Sequence, residues 1–175
     1  MREVYHDIPG ERIANLVNHP SYPSDPTERS IISNPFEAPT DIGDEYGQRM
    51  HGWINPPLTG EYLFWIAGDD ECHLYLSTSD RPNHAQLIAQ VPEWTTPREW
   101  GKYPEQESNS IYLEEGNLYY VMALMKEAQG GDNLAVGWEL PDGTLQRPIS
   151  GEHLLWKGDE LHTNFSIKAS GEAVL

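Results

Sequence analysis

Hydrophobic and polar positions alternate over short segments in the part of the chain that follows residue 36. Leu134, Val136 and Trp138 alternate with smaller or polar residues, and Leu74 and Leu76 repeat the pattern earlier in the chain. Successive side chains of a strand point to opposite faces, so this alternation predicts β-strands with one buried face.

A series of short strands follows from the same pattern. The predicted strands cover residues 48–55, 61–67, 73–76, 86–91, 110–113, 118–126 and 133–140. The turn-forming run at 114–117 predicts that the two strands around it form a hairpin. Closely spaced strands with almost no helical periodicity predict an all-β fold, an antiparallel β-sandwich or barrel.

Residues 4–34 are rich in polar residues and proline, which predicts an irregular N-terminal segment. One short helix is predicted over residues 8–16, with Ile13, Leu16 and Val17 able to share a face. Prolines at positions 23 and 26 break any longer helix, because proline lacks a donor and disfavours helical geometry before it.

The chain is strongly acidic, and this narrows the choice of partners. Its 175 residues fit one domain with a tail, and they include 28 acidic and 11 basic residues, a net charge of −17. Nucleic acid and anionic membranes require basic patches, so we expect neither as a partner. Divalent cations and neutral molecules are compatible with this charge, although the acidity is alternatively a device for solubility.

Cysteine and hydropathy exclude further classes. Cys72 is the single cysteine, so an intrachain disulfide framework and a cysteine-based zinc cluster are excluded. No apolar run approaches the roughly 18 residues that span a membrane, so no membrane insertion is expected. The start of the chain lacks the apolar core of a signal peptide, but a fragment of a longer secreted protein would lack it too.

An acidic loop, Gly68-Asp69-Asp70-Glu71, follows the strongly apolar predicted strand 61–67. In an extended trans backbone, neighbouring side chains point to opposite sides. Asp69 and Asp70 therefore serve one site only if the backbone is unusual or a cation draws them together. The alternative is a solvated acidic turn.

A second oxygen-rich loop, residues 126–133, follows the predicted strand 118–126. Gln129, Asp132 and Asn133 offer side-chain oxygens, and the glycines at 130 and 131 let the backbone present carbonyl oxygens. Because Ca²⁺ takes about six to eight oxygen ligands, two such loops together suit it better than either alone. A glycine-rich hairpin is the alternative for this loop by itself.

The aromatic residues divide into two groups by position. Those within predicted strands are expected in the core: Trp65, Tyr75, Tyr120 and Trp138. Trp94 and Trp100 lie in a long loop, where stacking on a sugar is one interpretation and packing beneath the loop is the favoured one.

In order along the chain, several motifs resemble the PA14 domain, a module named after a segment of anthrax protective antigen. They are Glu45-Tyr46-Gly47-Gln48-Arg49-Met50-His51-Gly52, Pro57-Leu58-Thr59-Gly60-Glu61-Tyr62-Leu63-Phe64, Gly68-Asp69-Asp70, Gly116-Asn117-Leu118-Tyr119-Tyr120, Lys126-Glu127 and Gly131-Asp132-Asn133-Leu134-Ala135-Val136-Gly137-Trp138. The likeness covers residues 3–156. It implies a lectin-like β-sandwich or barrel, as in yeast flocculins, bacterial adhesins and modular glycosidases.

The resemblance also implies a site. In sugar-binding members, two successive aspartates joined by a cis peptide hold a Ca²⁺ ion that coordinates vicinal hydroxyls of a sugar. Carried over by position, Asp69, Asp70, Gln129 and Asp132 are the expected metal ligands, with Asn133 as a competing choice in the second loop. The expected sugar contacts are Asp69, Asp70, Gln129, Gly68, His73, Trp94 and Trp100.

The expected function is therefore a calcium-dependent carbohydrate-binding module, a lectin or adhesin that recognises glycans or polysaccharide at the cell surface or outside the cell. The alternative is a structural or protein-interaction module in which calcium only staples loops. Catalysis is not expected. Glycoside hydrolysis requires carboxyls that flank the bond from opposite sides, whereas the adjacent Asp69 and Asp70 would gather on one side. Residues 157–175 are expected to be a linker and the start of a following domain, faintly like a lamin-tail β domain, in a larger protein.

Overall fold

The structure is a computed structural model that describes residues 1–32 and 35–158, together with the backbone of 166–167 and 173–174. It contains a short helix, α1 (Ile13–Val17), and 3-10 turns at Pro82–His84, Pro104–Gln106 and Gly151–His153. The strands are β1 (Arg2–Tyr5), β2 (Glu28–Ser30), β3 (Tyr46–Ile54), β4 (Gly60–Asp69), β5 (Cys72–Ser77), β6 (Ala85–Val91), β7 (Ile111–Leu113), β8 (Tyr119–Glu127), β9 (Asn133–Glu139), β10 (Leu145–Gln146), β11 (Leu154–Leu155), β12 (Ser166–Ile167) and β13 (Ala173–Val174).

Two antiparallel sheets enclose the main core. The larger sheet has the order β2-β1-β3-β8-β5-β6, with β11 also paired to β3, and the smaller has the order β10-β9-β4-β7. Leu74 and Leu76 of β5 enter this core from one side, and Leu134, Val136 and Trp138 of β9 enter it from the other. The predicted all-β antiparallel sandwich is confirmed, as is the burial of the strand aromatics.

Helix α1 covers the outer face of the larger sheet. Ile13 and Leu16 pack there in a second apolar cluster with Tyr75 and Leu124. The helix begins at Ile13, so the predicted helix over 8–16 is wrong in its bounds. Gly10 has a φ of 95°, which lies outside the helical region, so the helix cannot extend back through this residue.

The prediction of an irregular N-terminal segment is wrong for its first residues. Strand β1 lies inside the larger sheet between β2 and β3. Its Glu3 is buried against Arg49, with Arg29 at 3.2 Å and His51 at 3.3 Å. Burial alone would raise the pKa of Glu3, but hydrogen bonds and charge from His51 and Arg49 lower it to about 2. Ion pairing thus permits a polar sequence to form an interior strand.

The predicted hairpin across residues 114–117 is also wrong. Strand β7 pairs with β4 in the smaller sheet, and β8 pairs with β3 and β5 in the larger one. The turn therefore carries the chain from one sheet to the other. A turn-forming composition predicts a reversal of the chain, but it does not determine which strand becomes the partner.

The sequence also predicts that the chain does not insert into a membrane and that a linker begins at residue 157. Within the described ranges, no helix has both the length and the apolar character needed to cross a membrane. The division at residues 156 and 157 stays a prediction, since most of 157–175 lies outside the described residues.

Candidate metal centre

The two oxygen-rich loops meet at one end of the sandwich. The Asp70 amide donates to the Lys126 carbonyl at 2.9 Å, and the Lys126 amide donates to the Glu71 carbonyl at 3.1 Å. On the other side, the register of β4 against β9 places Asp69 opposite Asn133. The ends of β4 and β8 thus hold the turn after β4 beside the loop that precedes β9.

Three carboxylates converge where the loops meet. One oxygen each from Asp69, Asp70 and Glu127 lies within 4.8 Å of the others. The Asp69–Asp70 peptide bond is cis. Asp69 and Asp70 are half-buried, whereas Glu127 is fully buried. Neither side-chain oxygen of Glu127 has a hydrogen-bond partner among the described residues, which is costly for a buried carboxylate unless another group compensates it.

Asn133 adds another buried oxygen beside Asp69. Its amide nitrogen donates to the Thr95 carbonyl at 2.8 Å, while its Oδ1 is buried without a hydrogen-bond partner among the described residues. The Thr95 carbonyl accepts only from an N–H group, so it fixes the orientation of the Asn133 side-chain amide. Oδ1 is thereby left available to a cation.

Asp132 is held by a neighbouring loop. Its Oδ2 accepts from the amides of Ile42 and Gly43 at 2.6 and 3.2 Å. Its Oδ1 has no hydrogen-bond partner among the described residues. Burial first, and then the charge of Asp132, raises the pKa of the Tyr46 hydroxyl. Asp132 is therefore both an anchor of the second loop and a negative charge next to the three carboxylates.

Burial and mutual repulsion raise the pKa values of carboxylates in this cluster. Burial first, then the charge of Asp70, raises the pKa of Asp69 to about 7, although Lys102 acts in the opposite direction. Burial raises the pKa of Glu127 to about 8, and Asp70 and Asp69 add to the rise. Such shifts indicate that the local environment disfavours the ionised carboxylates and that a cation among them would favour ionisation.

The donor set suits a hard cation. Carboxylate and amide oxygens are the ligands that Ca²⁺ prefers, and the converging group contains no sulfur or imidazole. Asp69, Asp70, Glu127 and Asn133 provide the oxygens that are free or converge here, so the residues present fit calcium.

A loop at residues 41–45 clamps the second oxygen-rich loop from outside. The Glu45 amide donates to the Ala128 carbonyl at 2.8 Å, and the Gly130 amide donates to Asp44 Oδ1 at 3.2 Å. Asp41 and Glu45 have φ values of 53° and 51°, an uncommon conformation for residues with a side chain. This support was not predicted, because its partners are far apart in sequence.

Gly68 is fixed by close contacts directly before the aspartates. Its amide donates to Thr95 Oγ1 at 2.9 Å, and its carbonyl accepts from the Thr95 amide at 2.7 Å. A Cβ at this position would clash with Cys72 Sγ. Gly68 is therefore required for packing beneath the candidate centre.

We expect Gly68→Ala to destabilise the domain by about 2–3 kcal/mol, because the added methyl overpacks the core against Cys72. Cys72→Ala removes the clashing sulfur, so the double variant should be more stable than the sum of the single variants predicts. Urea unfolding of all four proteins measures this coupling. Strict additivity would contradict the assignment of the clash to the Sγ atom.

The remaining predicted contacts are distributed around the centre. Gln129 is exposed at the loop tip, outside the converging group, and its role as a ligand stays a prediction. His73 lies beside Tyr75. Its Nδ1 is 3.1 Å from the Tyr75 hydroxyl, and its Nε2 is 3.7 Å from a carboxylate oxygen of Glu71. Trp100 is half-buried, but Trp94 is 46% exposed, so the favoured interpretation that Trp94 packs beneath its loop is wrong.

Glu127 belongs to the converging group but is absent from the ligands expected from the sequence. Val121, Ala123 and Met125 of β8 face the main core. Alternation places Glu127 on the same face, at the end of the strand and next to the acidic turn. Extending the hydrophobic pattern of β8 by two residues was the signal that could have found it.

An antiparallel sandwich with carboxylates gathered between loops at one end defines a β-sandwich domain with a candidate metal centre. The chain matches the model of the PA14 domain over residues 11–152, and it belongs to this family. The family membership predicted from the motifs is confirmed.

The curated relatives match this chain over a small part of their own length. The mouse N-acetyl-beta-glucosaminyl-glycoprotein 4-beta-N-acetylgalactosaminyltransferase 1 is 32% identical over 140 residues, which cover 77% of this chain and 13% of that protein. Human fibrocystin-L is 30% identical over 84 residues, which cover 48% of this chain and 2% of that protein.

Solved structures share the fold at low sequence identity. The PA14 domain of the MpAFP antifreeze protein has a TM-score of 0.63 and 12% identity, over 93% of this chain and 92% of that one. The PA14 sugar-binding domain from an RTX adhesin has a TM-score of 0.61 and 11% identity, over 89% and 96% of the two chains.

Proposed function

We propose that this chain is a calcium-dependent carbohydrate-binding module. The observation that carries the proposal is the convergence of Asp69, Asp70 and Glu127 within 4.8 Å, with both oxygens of the buried Glu127 free of hydrogen bonds among the described residues. A buried, unpaired carboxylate beside two others is compensated by a cation far better than by solvent.

In this proposal, Asp69, Asp70, Glu127 and Asn133 hold the ion. Asp70 uses one oxygen to accept from the Ala128 amide at 2.9 Å, so its other oxygen is the ligand. Asp132 orients the second loop, and Gln129 at the exposed tip contributes on the solvent side. A bound Ca²⁺ supplies open coordination positions that accept adjacent hydroxyls of a sugar.

Two relatives support a glycan as the ligand. The adhesin domain that shares this fold is described as sugar-binding, and the mouse relative is a transferase that acts on a glycoprotein glycan. This chain corresponds to 13% of that transferase. We therefore assign the chain a non-catalytic binding role within a larger, extracellular or cell-surface protein.

A structural module is the second candidate, and a specific observation favours it. The same ion would join the turn after β4 to the loop before β9, and the 41–45 loop already clamps the latter. The two functions differ in solvent access. Asp69 and Asp70 are half-buried rather than enclosed, which leaves the ion open to a hydroxyl ligand.

Calcium at about 100 times its dissociation constant should stabilise the folded state by about 2.7 kcal/mol, because it binds the native site and not the unfolded chain. For a domain of this size the melting temperature then rises by roughly 5–10 °C. Calorimetric melting in calcium, magnesium and chelator measures the effect, and titration calorimetry measures the binding itself. Absence of calcium binding would refute the metal centre. Calcium binding without binding to any glycan on an array would leave the structural module as the function.

A further inference from the structure

A groove of about 200 Å³ opens beside the candidate metal centre. It is lined by Glu11, Arg12, Asp70, Glu71, Glu93 and Trp94, and we call it the Trp94 groove. Its volume is below the range of about 300–1,000 Å³ typical of pockets for drug-sized ligands, so it accommodates a single sugar ring rather than a longer oligosaccharide. Because Asp70 belongs to both the groove and the carboxylate cluster, a sugar on the ion would extend into this groove.

Trp94 is a preset aromatic surface in the groove. Its side chain is 46% exposed, and its orientation is fixed by Lys102, whose ammonium lies 3.0 Å from the ring centroid. The same ammonium donates to the Trp94 carbonyl at 2.8 Å. A fixed indole packs against the apolar face of a sugar ring at low cost in conformational entropy.

The charge of the groove is negative. Two cationic groups offset part of this charge: Arg12, which pairs with Glu11 at 3.2 Å and donates to the Pro92 carbonyl at 2.8 Å, and the Lys102 ammonium over the Trp94 ring. Glu71 accepts from the Ile13 amide at 2.5 Å, and Glu93 accepts from the Tyr103 hydroxyl at 3.2 Å. The other oxygen of Glu71 faces His73 at 3.7 Å, whereas Glu93 is exposed and presents its second oxygen to a sugar hydroxyl.

A bound divalent cation would not reverse this charge. Its two positive charges would face the three carboxylates of Asp69, Asp70 and Glu127, while Glu71 and Glu93 add negative charge on the groove side. Hydroxyl groups donate hydrogen bonds to such carboxylates, whereas an acidic substituent on the sugar is repelled by them.

We infer that the Trp94 groove selects uncharged sugars over anionic ones and that Glu93 is a specificity-determining residue for this choice. The inference rests on the proposed function, because the groove matters only if a sugar binds at the adjacent ion. The ligand class is a neutral hexose unit, and sulfated or carboxylated units are disfavoured. Glu93 is exposed, so its charge acts through solvent and can be removed without disturbing the core.

The test compares glucose, galactose and mannose, each with its 6-sulfate, by NMR titration of the calcium-loaded chain at low ionic strength. Each pair shares the same ring hydroxyls and differs in one anionic group. We expect the sulfate to bind roughly fivefold more weakly than the parent hexose, which corresponds to about 1 kcal/mol. The difference should shrink at high salt, since the screening length falls from about 10 Å at 0.1 M to about 3 Å at 1 M.

Glu93→Gln should narrow the difference to roughly twofold, because the groove loses one of its carboxylate charges. Glu105→Gln is the matched control, since Glu105 is exposed in the same loop but does not line the groove. The inference is overturned if the hexoses and their sulfates bind equally, or if both variants change the discrimination to the same extent. Failure of every hexose to bind in calcium would instead reject the proposed function.

Discussion

Replacing Asp70 with asparagine should strongly weaken calcium binding and, with it, sugar binding. Asparagine keeps the shape of the side chain and an oxygen that accepts from the Ala128 amide, a bond of 2.9 Å in the native chain. It removes one negative charge from a cluster whose three carboxylates lie within 4.8 Å of one another. We expect the calcium dissociation constant to rise at least about a hundredfold, equivalent to about 2.7 kcal/mol.

The control for this variant is Asp25→Asn, because Asp25 is exposed in the segment after α1. It makes the same change of net charge away from the loops, so a general electrostatic effect would alter both variants alike. Titration calorimetry gives the calcium constants, and a glycan array with calcium and with chelator gives the sugar response. Full calcium-dependent sugar binding by Asp70→Asn would place the sugar site elsewhere on the domain.

The strands were predictable because one face of each is buried. Alternation in β5 and β9 places Leu74, Leu76 and Trp138 in the core, and that pattern is a local property of the sequence. Strand β1 could not be found in this way. Glu3 enters the sheet through ion pairs with Arg49 and Arg29, and these partners lie far away along the chain.

The candidate site was predictable in part for a related reason. The pair Asp69 and Asp70 stands out locally, and the resemblance to the PA14 domain supplies a reason for two adjacent carboxylates. The second half depends on which oxygens remain free after folding. Asp132 accepts two backbone amides from the 41–45 loop, whereas Glu127 accepts none from the described residues. No local pattern in the sequence contains that distinction.

The exposure of Trp94 illustrates the same limit. An aromatic residue in a loop packs inward more often than outward, and that preference is a property of residue type. Here Lys102 lies over the ring and donates to the Trp94 carbonyl, and Asp69 forms a bridge to Trp94 through the backbone. These contacts hold the loop so that the indole faces the groove.

Glu127→Gln should weaken calcium binding at least about a hundredfold without weakening the calcium-free domain. The native carboxylate is buried and lacks hydrogen-bond partners among the described residues, so replacing it removes no hydrogen bond seen in that part of the structure. Burial, with Asp70 and Asp69, raises the pKa of Glu127 to about 8, so near neutral pH the native side chain is already largely neutral without calcium and glutamine matches its charge. In chelator the variant should therefore melt at or above the native temperature, and in calcium it should melt well below the native protein.

This difference between the effects with and without calcium distinguishes a metal ligand from a structural carboxylate. Replacing a glutamate that only packs the core would lower stability equally with and without calcium, since the contacts of such a residue do not depend on the ion. Glu139→Gln is the control, because Glu139 lies at the opposite end of β9 from Asn133 and is half-buried. If Glu127→Gln retained the native calcium constant, Glu127 would not be a ligand, and Asp69, Asp70 and Asn133 would have to hold the ion with backbone carbonyls and water.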